Sequence, residues 1–133
     1  MFLRFPFLTL RTVVTSLSSA DFEILAPAGS RESFAAALAA GADAVYLGVG
    51  ALNMRSLAAS TFEKEDLAAL VESAHAAGVR LYLTVNTVIF DEDLPELERV
   101  LDAAKAARVD AVIASDTAVM MRARARGLIV HLS

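Results

Sequence analysis

Leu81-Tyr-Leu-Thr-Val-Asn86 is an apolar run that ends abruptly on an amide. It is too short for a helix and too continuous for a strand with one wet face. It therefore reads as a parallel strand buried on both sides. Helical patterns flank it. Upstream, Leu67, Leu70, Val71 and Ala74 recur at i, i+3, i+4 and i+7, and Gly78 follows where a left-handed residue would end the helix. Downstream, Asp93-x-x-Glu96 resembles a capping box, with Pro95 in the first turn, and Leu94, Leu97, Leu101 and Ala104 supply an apolar face.

The same alternation extends in both directions. Further strands are expected at Glu23–Ala26, Ala44–Leu47, Ala111–Ala114 and Ile129–Leu132. A first helix, capped by Ser30, presents Phe34, Ala37 and Leu38 and stops at Gly41. Ser60-x-x-Glu63 is a capping-box pattern ahead of the second helix. A last helix, about Thr117–Arg126, is capped by Ser115 or Asp116, places Ala118, Met121 and Ala125 on one side and stops at Gly127. Arg108 takes the stop position of the third helix and fits it less well than glycine. AAGADAV at 39–45 echoes AARVDAV at 106–112, with AAGVRLYL at 76–83 a looser copy, so helix-to-strand turns are reused.

Right-handed crossovers make five such strands successive and parallel. Two α/β architectures then compete. One is a five-stranded doubly wound sheet. The other is a partial (β/α)8 TIM-type barrel of about four and a half βα units, a whole barrel needing about 250 residues. The sequence stops at Ser133 with no helix after the last strand, which favours the partial barrel. The expected organisation is residues 22–133 as the N-terminal half of a barrel, with 1–21 as a disordered or targeting segment. Residues 1–21 carry two arginines and many Ser/Thr, but Arg11 interrupts the apolar run and no clean signal sequence results.

The totals narrow the function. A 56% hydrophobic, 21% charged chain can bury a core. A net charge of −4 argues against an independent nucleic-acid-binding module. Without cysteine, disulfides, thiolate metal sites and cysteine nucleophiles are excluded within the chain. The same lack fits a cytoplasmic setting. No metal site is expected, because the two histidines, His75 and His131, lie far apart in sequence. No G-x-G-x-x-G or P-loop pattern is present.

In either architecture the active face lies at the carboxyl ends of the strands. Asn86 must find partners or face a polar cavity there. Asp116 can be an acid, a base or a ligand, and an N-cap explains it equally well. His131 lies within the last strand and is either bonded into the core or turned to the site. Glu23, inside or at the start of the first strand, is unusual for a buried position unless paired. Tyr46 lies in the second strand, and Asn53 and Arg55 in a long loop after it; Arg55 can clamp a carboxylate or phosphate. The expected catalytic set is Glu23, Asn86, Asp116 and His131, with Tyr46, Asn53 and Arg55 binding substrate.

Glu23-Ile-Leu-Ala-Pro-Ala-Gly29, Gly41-Ala-Asp-Ala-Val-Tyr-Leu-Gly48, Leu81-Tyr-Leu-Thr-Val-Asn86, Asp110-Ala-Val-Ile-Ala-Ser-Asp116 and His131-Leu-Ser133 occur in this order. The series resembles the N-terminal part of the peptidase U-32 family, the collagenase-like proteases, over residues 22–133. The resemblance implies a barrel-like enzyme. Family members are called peptidases, while others serve tRNA or ribosomal RNA hydroxylation and carry iron–sulfur clusters on cysteines outside the matched region. It implies a fragment of the RNA-hydroxylation type, inactive alone. Its partners would be the remaining barrel half and an RNA or peptide substrate, with no membrane and with self-association through open sheet edges. A fragment of a true collagenase-like peptidase and a stand-alone five-stranded binding module are the alternatives.

Overall fold

The computed structural model describes residues 22–53 and 62–133. The elements alternate: β1 (Leu25–Pro27), α1 (Arg31–Ala39), β2 (Ala44–Leu47), α2 (Leu67–Ala76), β3 (Arg80–Val85), α3 (Leu94–Ala107), β4 (Ala111–Ala114), α4 (Thr117–Ala125) and β5 (Val130–Leu132). The sheet order is β1-β2-β3-β4-β5, with every pair parallel. A doubly wound sheet reverses its order at a switch point. This one does not, and its helices lie on one side, which is the arrangement of a partial barrel.

Strand parity separates two faces. Val45, Leu47, Leu81, Leu83, Val85, Val112 and Ala114 turn outward and form one core with Phe34, Leu70, Val71, Leu97, Leu101 and Val119 of the helices. The other parity forms the concave face, where Ala44, Tyr82 and Ala111 make a small cluster bordered by Tyr46 and Ile113.

The first three helix starts share one device. Ser33, Asp66 and Asp93 each accept the backbone N–H three residues earlier, from Ser30, Glu63 and Phe90. Ser30 also caps α1 in return. The expected box at Asp93-x-x-Glu96 therefore does not form: Asp93 is its acceptor end, and Glu96 pairs with Lys64 and Arg99 instead. Ser60 lies outside the described residues.

Helix ends share another. Ala42, Val79, Val109 and Leu128 each donate to a carbonyl five residues back, across a left-handed residue. Gly41, Gly78 and Gly127 hold that residue's place with φ of 77°, 71° and 74°. Arg108 holds the fourth at φ 60°, which costs a side-chain-bearing residue about 1 kcal/mol. Arg108→Gly should therefore raise the urea midpoint, with a gain of about 1 kcal/mol.

The sequence echo has a structural basis. Asp43 donates its N–H to the Ile24 carbonyl while its carboxylate accepts the Ile24 N–H at 2.8 Å. Asp110 does the same to Leu81, its carboxylate accepting at 2.7 Å. Each aspartate clips its own strand to the start of the preceding one. The clip also shifts the first strand relative to the expected Glu23–Ala26. Ile24 is taken by a side chain, so the ladder begins at Leu25.

The last helix turns differently from the expectation. Val119 and Ala123 are its buried residues, whereas Met121 is 72% exposed. Ion pairs across to α3 set this rotation: Glu98 accepts from Arg122 and Arg126, and Asp102 accepts from the Arg126 Nε. Hydrogen bonds from Arg126, then Arg122, hold the Glu98 carboxyl below its ordinary value of 4.5. A lowered carboxylate contributes stability that is complete above the unfolded value and is lost as pH falls through the folded one. Glu98→Gln should thus lower the thermal midpoint at neutral pH, and the gap to the wild type should close in acid below 4.5.

Candidate functional site

The concave face is built in rows. Pro27, Tyr46, Tyr82 and Ala111 are cross-strand neighbours in one row, and Thr84, Ile113 and His131 in the next. Asn86, Ser115 and Ser133 follow at the same parity, just past the strand ends. There the Asn86 amide donates to Ser133 Oγ at 3.4 Å, and the Ser115 hydroxyl donates to the Asn86 carbonyl at 2.9 Å. Three chain segments thus join their polar groups at the carboxyl end of the sheet, where parallel sheets hold ligands.

Asn53 enters from the loop after β2. It is 3% exposed, and its amide donates to the Gly50 carbonyl at 3.0 Å. Gly48 makes room for it: a Cβ at Gly48 would stand 2.4 Å from the Asn53 amide carbon. A buried amide is stable only when bonded, so the turn at residues 50–53 is fixed beside the mouth of the sheet. Arg55 lies outside the described residues.

His131 sits on the concave face of β5, its ring 4.9 Å from that of Tyr82 in an edge-to-face arrangement at 79°. Tyr82 is 4% exposed and donates its hydroxyl to Glu23 Oε2 at 2.9 Å. Burial, then the Glu23 carboxylate, raises the Tyr82 phenol above its ordinary value of 10.0, so it remains a donor.

Glu23 lies at the other end of the sheet. It precedes β1 and pairs with Arg80 at the start of β3. Asn86 is six residues further along that strand, about 20 Å away. Glu23 therefore does not join Asn86 in one site; its partners make it an anchor for Tyr82. Asp116 is occupied as a cap. Its carboxylate accepts the Ala118 N–H at 2.7 Å and the Ile89 N–H at 3.1 Å. Asn86 and His131 share the concave face with Tyr46, while Asn53 borders it. Tyr82, absent from the expected set, links His131 to Glu23. Its signal was parity: it alternates with Thr84 and Asn86.

The chain lacks cysteine, so its residues do not fit a thiolate-held iron–sulfur cluster. Among the described residues, no group of three His, Asp or Glu is placed to hold a metal ion. No described helix is long and apolar enough to cross a membrane.

Fold and site together define a β/α-barrel-type protein with amide and hydroxyl groups of Asn86, Ser115 and Ser133 joined at the carboxyl ends of its strands. The chain belongs to peptidase family U32, whose model matches residues 29–133. It is 54% identical over 113 residues to a collagenase of Porphyromonas gingivalis, covering 85% of this chain and 27% of that protein. It is 37% identical over 113 residues to tRNA hydroxylation protein P1 of Bacillus subtilis, covering 84% and 26%. It is 32% identical over 105 residues to the 23S rRNA 5-hydroxycytidine C2501 synthase of Escherichia coli, covering 79% and 16%. The chain thus spans about a quarter, or less, of the length of these relatives. The solved structure of the U32 peptidase Mk0906 superposes with a TM-score of 0.64 at 19% identity, over 82% of this chain and 47% of that one, a likeness of fold.

Proposed function

We propose that this chain is the substrate-cradling part of a U32 barrel protein that takes part in hydroxylating RNA bases. The observation that carries the reading is the chemistry of the concave face. Tyr46 and the Tyr82–His131 ring pair lie behind a mouth of amide and hydroxyl groups from Asn86, Ser115 and Ser133. Unstacked bases are held by planar rings and read by uncharged donors and acceptors. Similarity to RNA-hydroxylation proteins of Bacillus and Escherichia supports the same reading.

Alone, the chain is inactive, because a barrel site draws groups from strands beyond five. Any iron–sulfur cluster, and the bulk of the RNA contacts, would come from residues outside it. The setting is the cytoplasm, where RNA substrates are found. The outer edges of β1 and β5 invite self-association; sedimentation of the isolated chain should show dimers or larger species, and a clean monomer would exclude this.

The test is deletion of the gene, followed by mass spectrometry of nucleosides from tRNA and 23S rRNA. A hydroxylated nucleoside should disappear, return with the wild-type gene, and fail to return with Asn86→Ala. A second reading, proteolysis, is favoured by the 54% identity to the Porphyromonas collagenase. Intact nucleosides together with gelatin cleavage by the whole protein would establish it instead.

A further inference from the structure

We infer that Tyr82 is a positioning residue that fixes the orientation in which His131 faces a bound substrate. The inference rests on the concave face being the substrate side, as proposed above.

Two features fix the Tyr82 ring. Small residues, Ala44 and Ala111, flank it, and it fills the space they leave on the concave face. Its hydroxyl is anchored, since it donates to the Glu23 oxygen that also receives Arg80. Ring and tip are therefore held by packing at one end and by a charged acceptor at the other. A charge-assisted bond of this kind is stronger than a neutral one.

His131 is placed differently. It lies on β5, which among the described residues pairs with β4 alone, and it is exposed. An imidazole so placed would sample several rotamers. The buried Tyr82 ring meets it edge to face at 4.9 Å, a geometry favoured by ring quadrupoles. The chain of contacts Arg80–Glu23–Tyr82–His131 thus runs from the amino ends of the strands to a ring open to solvent. Its rigid members are buried or ion-paired, and its mobile member is the one that can touch a ligand.

The chain has two histidines, so imidazole NMR signals are few, and His75→Gln assigns them. In the protein, His131 ring protons should be displaced by the Tyr82 ring current and should show cross-relaxation to Tyr82. Tyr82→Leu should return them to free-histidine positions. Tyr82→Phe keeps the ring and should preserve most of the displacement. In the gene-deletion strain, Tyr82→Leu should lower hydroxylated nucleoside formation by about tenfold or more, since misplacing a contacting group by about 1 Å can cost up to about a hundredfold. Tyr82→Phe should restore most of it, which a merely unstable protein would not do. Unchanged His131 signals in Tyr82→Leu would overturn the inference, as would a Tyr82→Leu protein of full activity in cells whose modification depends on the gene. If the signals move as expected but deletion leaves every nucleoside intact, the orienting role stands and the RNA reading falls.

Discussion

Gly48→Ala should destabilise the protein by about 3 kcal/mol and disorder the mouth of the sheet. The added methyl would stand 2.4 Å from Asn53 Cγ, 2.6 Å from its Nδ2 and 2.8 Å from its Cβ. Contacts this short cannot be relieved by a small rotation, because the Asn53 Cβ is itself among them. The amide would have to leave its buried place, and the Gly50 carbonyl would lose its donor. Overpacking costs about 1–3 kcal/mol and a lost buried hydrogen bond about 1 more. Gly50 is held from a second side, since it also donates to the Phe62 carbonyl and Phe62 is itself buried against Phe34. Urea unfolding measures the loss. A double-mutant cycle locates it, because trimming Asn53 to glycine should restore part of the stability in the alanine background but not in the wild type. An unchanged midpoint for Gly48→Ala would mean that Asn53 is not packed against Gly48 as described.

Asp116→Ala carries the second large effect, also about 3 kcal/mol. One carboxylate oxygen caps α4 through Ala118, and the other holds Ile89 in the connection between β3 and α3. The alanine variant leaves two backbone donors without their acceptor, and each charge-assisted bond is worth about 1.5 kcal/mol or more. Asp116→Asn keeps one acceptor and should lose about half as much. Activity per folded molecule should hold in both variants. A variant as stable as the wild type yet inactive would return Asp116 to the chemistry.

The contrast between these two residues shows what was legible in the sequence. Parallel strands are apolar on both faces, so Ala44–Leu47 and Ala111–Ala114 stand out at their true bounds. Helix stops were legible for the same local reason, down to Arg108 taking a glycine's place. Where a side chain reached across the chain, local reading failed. Asp43 displaced the start of β1, and Asp93 turned back to Phe90, so the box ahead of α3 opened three residues early. The rotation of α4 answers to Glu98 and Asp102, which lie on a different helix.

The site was legible by position and less so by role. Asn86 and His131 reached the concave face because their strands carry them there. Glu23 stands on the amino side of its strand, away from the carboxyl ends; an acid in an apolar segment stands out by type, and its partner Arg80 is visible only in the fold. Tyr82 does not stand out in the sequence, because an aromatic residue within an apolar run reads as core. Its hydroxyl, unlike a core phenylalanine, needs an acceptor when buried, and Glu23, 59 residues away in sequence, supplies it.

The paired aspartates at 43 and 110 also bear on how this chain can be rebuilt. Each fastens its strand to the one before by gripping only main-chain atoms of that neighbour, so the fastening needs the aspartate and no particular side chain on the strand it holds. Such joints are natural cut points. Segments swapped between relatives at Gly41 or Arg108 would arrive with their docking already specified, and a shuffled protein made this way should keep its register while exchanging the groups that line the mouth.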